Sequence, residues 1–165
     1  MKASYFSKDV QDFLRLLAAH GVKYLIVGGE AVIYYGHARL TGDVDFFFEP
    51  SRKNVVKLYK VLKDFWAGDI PGIKASGELM EEGLILQFGV LPNRIDLINQ
   101  ISGVSFREAW KNKLEWSIQS GGEEVPIYFI GLDELIKNKK AIGRPKDLED
   151  LKYLQKQKGL RDKKK

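Results

Sequence analysis

Apolar side chains return every three or four residues in some stretches of this chain and form short alternating or unbroken runs in others. Val10, Phe13, Leu14 and Leu17 share one face of a helix predicted over residues 7–19, with Ser7 as its N-cap and Gly21 just past its end. Val55, Leu58, Tyr59, Leu62, Phe65 and Trp66 mark a longer amphipathic helix that follows Glu49-Pro50 and is capped by Ser51. Towards the C-terminus a helix is predicted over 132–142, then a break at Gly143-Arg144-Pro145 and a further helix from 146 to about 156. The strand-like runs are KYLIV (23–27), DVDFFF (43–48), LILQFGV (84–90), RIDLI (94–98), LEWSIQ (114–119) and VPIYFI (125–130). The third and fourth read as one hairpin and the last two as another; a minor strand is expected at 73–75 or 78–80. "EAVIYYG" (30–36) reads as a short helix closed by Gly36, and Ser105-Phe-Arg-Glu108 as a capping box for a helix through about Lys113. These elements predict an α/β (α+β) fold with a mixed central sheet flanked by helices and a short helical C-terminal end.

Composition narrows this to one core. A chain of 165 residues with 44% hydrophobic and 12% aromatic content is expected to form a single domain over 1–156, its helical end starting near 131, with 157–165 as a basic, disordered tail. The absence of cysteine excludes disulfides and thiolate metal sites. Its longest apolar runs, 31–35 and, even with Asp45 ignored, 44–48, are far short of the ~20 residues of a membrane span, and the first ten residues have no leader-like apolar core. A cytoplasmic protein with no membrane partner is expected. The net charge of +5 is uneven: residues 137–165 hold twelve Lys or Arg against four Asp or Glu, a balance of +8, which leaves −3 for the rest. That basic end is a candidate surface for nucleic acid or nucleotide phosphates, or simply a solvated helix face.

Charge also changes the reading of the second strand, because an extremely apolar run, Phe46-Phe47-Phe48, is entered through Asp43 and Asp45. Residues i and i+2 of a strand point to one face roughly 7 Å apart, so Val44 enters the core and the two carboxylates stand side by side opposite it. Two like charges repel there, and a divalent cation converts the repulsion into coordination. A third strand-borne carboxylate, Asp96 in "RIDL", would complete such a site. Upstream, strand 23–27 runs straight into Gly28-Gly29 and a helix, a turn that lets backbone N–H groups approach phosphate oxygens, with a helix N-terminus behind them.

"VGGEAVIYYGHARLTGDVDFFF" resembles the signature of the polymerase β-like nucleotidyltransferase superfamily, a glycine pair followed about a dozen residues later by Asp-x-Asp, with a later strand aspartate here in "RIDLI". With "GLDELIKNKKAIGRPKDLEDL" added, the chain is similar to the small prokaryotic proteins grouped with the abortive-infection toxin nucleotidyltransferases. The resemblance implies the nucleotidyltransferase fold and transfer of a nucleoside monophosphate to a hydroxyl with loss of pyrophosphate. It implies Asp43, Asp45 and Asp96 as catalytic residues and ligands of two Mg²⁺ ions, with Mn²⁺ as an alternative, and Asp96 as the group that helps deprotonate the acceptor. Gly28, Gly29, Arg39, Thr41, Lys139 and Arg144 would bind the nucleoside triphosphate, and Asp147 and Asp150 would brace the last helix. Glu30 departs from a simple phosphate site by placing an acid next to the glycines, where it either caps the helix or meets Arg39. The acceptor stays open among a tRNA end, a protein and a small molecule; a homodimer or an antitoxin partner is a further expectation. A catalytically silent nucleotide-binding or toxin–antitoxin module of the same fold is the competing reading. His20 is read as a helix end, His37 as a neighbour of the motif, and Trp66, Trp110 and Trp116 as core or interface residues.

Overall fold

In the computed structural model, which describes residues 5–165, the predicted runs condense into six strands and six α-helices. Residues 1–4, part of the expected domain and of the segment read for a leader, lie outside the described residues. Helix α1 (Lys8–Ala19) starts where Ser7 Oγ accepts the Val10 N–H at 3.3 Å, and it buries Val10, Phe13, Leu14 and Leu17. Strand β1 (Tyr24–Val27) leads into α2 (Gly28–Tyr34), so the glycines open the helix rather than precede it. Strand β2 (Asp43–Phe48) is followed by α3 (Arg52–Phe65), whose N-cap Ser51 accepts from Asn54 N–H at 3.3 Å. Strands β3 (Ile85–Phe88) and β4 (Arg94–Ile98) form the first hairpin, and β5 (Leu114–Ser120) and β6 (Glu123–Phe129) the second. Between them lies α4 (Phe106–Lys111), and α5 (Leu132–Ile142) and α6 (Pro145–Asp162) end the chain.

The sheet order is β3-β4-β2-β1-β6-β5, with β2/β4 and β1/β6 parallel and the other neighbours antiparallel. Both faces are covered, which is why Phe46, Phe47 and Phe48 can all be buried: Phe46 meets Phe13 of α1 edge-on at 5.3 Å, and Phe47 meets Phe106 of α4 at 5.1 Å. Each such ring, removed from water, contributes about 1.5–3 kcal/mol. This six-stranded mixed sheet flanked by helices matches the expected architecture.

The structure departs from the sequence reading in three places. No strand forms at 73–75 or 78–80; Ser76–Met80 is a 3₁₀ turn instead. Glu78 accepts the N–H groups of Lys74 and Ala75 at 3.1 Å each, and Asn99 donates to the Leu79 and Glu81 carbonyls, so local bonds replace a ladder. At α4 only half of the capping box exists: Ser105 Oγ accepts from Glu108 N–H at 3.2 Å, while the Glu108 carboxylate pairs with Lys137. Helix α6 runs to Asp162, beyond the expected end near 156, so much of the tail expected to be disordered is helical. Lys158 anchors it to Asp133 at 2.8 Å and Arg161 lies over the Tyr35 ring at 5.0 Å. Of the tryptophans read as core or interface residues, Trp66 and Trp110 pack against the core and Trp116 is half exposed on edge strand β5. None of the helices among the described residues is long and apolar enough to cross a membrane.

Candidate active site

Register decides which side chains meet. In the β2/β4 pairing Asp45 stands opposite Asp96 and Asp43 opposite Arg94, and in the β1/β2 pairing Val27 stands opposite Asp45. Period-two alternation then sends Asp43, Asp45, Arg94 and Asp96 to one face while Val44 and Ile95 enter the core. One carboxylate oxygen from each of Asp43, Asp45 and Asp96 lies within 4.8 Å of the others. They stand in a cleft of about 470 Å³ walled by Gly28, Gly29 and Arg39 on one side, by Ile85, Gln87 and Ile98 of the β3/β4 hairpin on another, and by Asn138, Lys139 and Ile142 of α5 above.

The three carboxylates are not alike. Asp43 Oδ1 accepts from Thr41 Oγ1 at 3.1 Å and its Oδ2 from Arg94 Nη2 at 2.9 Å. Asp96 accepts from Arg94 Nε and Nη2 at 2.7 and 2.9 Å and from Gln87 Nε2 at 3.1 Å. Asp45 has no hydrogen bond or ion pair among the described residues, and burial, with the Asp43 and Asp96 charges beside it, pushes its carboxyl up to about 7. Hard oxygen donors in this number, one of them uncommitted, match what Mg²⁺ or Mn²⁺ takes.

The raised Asp45 carboxyl has a definite sign in stability. Between about pH 4 and pH 7 the folded protein keeps a proton that the unfolded chain releases, so metal-free stability falls through that window and is level above it. Asp45→Asn is therefore expected to gain in Tm over the wild type from about pH 5 to pH 7, the gain then levelling off. Thermal melts in chelator at several pH values check this; a pH-independent difference would contradict it.

The glycines act through close approach. Gly28 has φ +64° and a methyl added there would overlap Asp45 Oδ2; one added at Gly29 would sit 2.6 Å from Thr41 Oγ1 and 3.0 Å from Arg39 Nη2. Helix α2 has only seven residues, so the glycine backbone rather than a long helix dipole faces the cleft. Gly28→Ala is expected to cost about 1–3 kcal/mol in strain and to push Asp45 aside. Urea unfolding together with Mn²⁺ titration would register both effects.

Above the carboxylates runs a buried ion network. Arg39 Nη1 donates to both oxygens of Asp150 at 2.8 and 2.6 Å, and Lys139 Nζ reaches Asp147 at 2.8 Å and Asp150 at 3.0 Å. Arg144 Nε donates to Asp147 at 2.7 Å from a side chain that is 67% exposed. Burial alone would raise the Asp147 carboxyl, but the bonds from Arg144 and Lys139 hold it below its ordinary value. Asp147 and Asp150 thus brace the last helix against the loop that carries Arg39. Lys139 lines the cleft with its charge largely spent on these two carboxylates, whereas Arg144 keeps free donors on the rim.

Glu30 meets neither a helix cap nor a direct bond to Arg39: its Oε2 accepts from the Tyr5 hydroxyl at 2.6 Å, and burial raises its carboxyl. His37 lies 4.0 Å from Asp150 and packs on Tyr153, behind the cleft wall. Sequence reasoning missed Arg94, Gln87 and Lys146. Arg94 was detectable, since it precedes Asp96 by two and must share its face; Gln87 and Lys146 reach the cleft only through the β3/β4 pairing and the α5/α6 turn.

A family model described as "Nucleotidyltransferase of unknown function (DUF6036)" matches residues 8–157. Among solved structures, the chain is similar to an antigenic nucleotidyltransferase-like protein from Paracoccidioides brasiliensis, with a TM-score of 0.50 and 15% identity over 90% of this chain and 77% of that one. At that identity the likeness is one of fold. No curated protein sequence matches the chain.

Proposed function

We propose, from the premise that this chain belongs to the nucleotidyltransferase family of unknown function DUF6036, that it moves a nucleoside monophosphate from a nucleoside triphosphate to an acceptor hydroxyl. The observation that carries this reading is the meeting of Asp43, Asp45 and Asp96, from two paired strands, in a cleft bounded by Gly28 and Gly29. Asp43, Asp45 and Asp96 would hold a pair of Mg²⁺ ions, which when bound supplies Lewis-acid stabilisation of the attacking and leaving oxygens.

The chain's own groups do the rest. At Gly28 and Gly29 no Cβ stands between the backbone and a phosphate oxygen. Arg39 Nη2 over Gly29, Arg144 on the rim and Lys146 offset the triphosphate charge and fix its orientation, which is where phosphoryl transfer gains most of its rate. Thr41 acts one step back by holding Asp43 Oδ1. As the acceptor oxygen bonds to the α-phosphorus, its proton passes to the Asp96 carboxylate, the bond from that phosphorus to the bridging oxygen breaks, and pyrophosphate leaves with the electron pair. Kinship with the abortive-infection toxin group is part of the same proposal, supported by the single ion network that Lys139, Arg144, Asp147 and Asp150 of its C-terminal motif form.

Incubation with each α-labelled triphosphate, Mg²⁺ and pools of tRNA, protein or small hydroxyl compounds tests the reading and identifies the acceptor. Label transfer with stoichiometric pyrophosphate is expected. Metal-dependent triphosphate binding without turnover in any pool would instead mark a nucleotide-sensing or toxin–antitoxin module.

A further inference from the structure

Arg94 stands inside the carboxylate cluster rather than at its edge. Its guanidinium straddles two strands: Nη2 donates to Asp43 Oδ2 on β2 and to Asp96 Oδ2 on β4, each at 2.9 Å, while Nε donates to Asp96 Oδ1 at 2.7 Å. A planar fork placed this way is the strongest form of carboxylate pairing a side chain offers. It also consumes acceptor capacity. Asp96 Oδ2 takes bonds from both Arg94 and Gln87, which uses the two lone pairs a carboxylate oxygen presents, and Asp43 has Thr41 on one oxygen and Arg94 on the other. Of the three carboxylates, only Asp45 has no partner among the described residues. The guanidinium therefore occupies two of the three carboxylates that would hold a divalent ion here.

Arg94 is accessible from the cleft. Its side chain is 24% exposed, it opens β4 directly after the hairpin turn, and it lines the same cleft as Arg39 and Arg144.

We propose that Arg94 is a built-in counter-ion of the acidic site: without metal it neutralises Asp43 and Asp96, and divalent cations bind only by displacing its fork. The inference rests on the metal-dependent reading above and adds a control element to it. Metal affinity is held low in the free protein, and a displaced guanidinium gains a new partner when a triphosphate enters. Metal and triphosphate are thereby coupled, each raising the affinity for the other by the same factor.

Mn²⁺ titration followed by the spin resonance of the free ion, without nucleotide, tests this on the full chain. Arg94→Met is expected to bind Mn²⁺ about tenfold more tightly than the wild type, and Arg94→Lys, which keeps the charge but loses the fork, to fall between them. The metal-free Tm of Arg94→Met should drop, and saturating Mn²⁺ should raise it by more than it raises the wild type; an equal rise would mark a purely structural arginine. The affinity gained in the presence of a non-hydrolysable triphosphate should shrink in the same variant. Arg94→Lys carries the comparison if Arg94→Met does not stay folded without metal. Mn²⁺ affinity that is unchanged or weaker in the variants overturns the inference alone. Failure of every form, wild type included, to bind Mn²⁺ overturns the metal-dependent reading and this inference together.

Discussion

Asp45→Asn is expected to lower pyrophosphate release by on the order of 10³-fold while the fold stays intact and, in metal-free protein near pH 8, becomes more stable. Both effects have one origin. Asp45 lies between two other carboxylates with no partner of its own among the described residues, so its charge is costly to the folded chain until a cation arrives. An amide of the same shape removes the repulsion and, with it, a ligand. Asp43→Asn should cost comparable activity with less gain in Tm, because Arg94 and Thr41 already satisfy Asp43. A pyrophosphate assay run beside thermal melts separates the outcomes: equal release from wild type and both variants would remove the enzymatic reading. Loss of activity accompanied by unfolding would show instead that the carboxylates are structural.

The second large effect lies in the ion network. Lys139→Met is expected to destabilise the protein by about 3–5 kcal/mol, which for a chain of this length lowers Tm by roughly 10 °C. Lys139 is 5% exposed and holds Asp147 and Asp150, themselves 0% and 2% exposed, so its removal leaves buried negative charge shared with Arg144 and Arg39 alone. Asp150→Asn is expected to cost less in the Lys139→Met chain than in the wild type, because one of the two cations that Asp150 pairs with is already gone and only Arg39 remains. Urea unfolding of the two single variants and the double variant measures that coupling; additive losses would mean that Lys139 and Asp150 do not stabilise one another.

Much of the scaffold was legible in the chain because local spacing and local chemistry coincide there. Val10, Phe13, Leu14 and Leu17 define α1 by period alone, and Ser7 and Ser51 cap their helices through bonds that span three residues. The reading failed where a longer bond won. Glu108 left its capping box for Lys137, Asn99 held the turn around Leu79, and the Tyr35 and Asp133 side chains kept α6 helical past 156. Each depends on a partner far away in sequence that no window of neighbouring residues contains.

The same division applies to the site. By itself the sequence determined that Asp43 and Asp45 share a face, that Asp96 lies on another strand with apolar neighbours turned away, and that Gly28-Gly29 follows a buried strand, since alternation and turn chemistry are local. Only the tertiary structure decided that β4 pairs with β2 in the register that sets Asp96 opposite Asp45 and Arg94 opposite Asp43. It also decided that the basic motif of α5 and α6 is spent mainly on its own aspartates. Register and charge pairing are set by what crosses between elements, and a one-residue slip of β4 would have turned Asp96 into the core and Ile95 into the cleft.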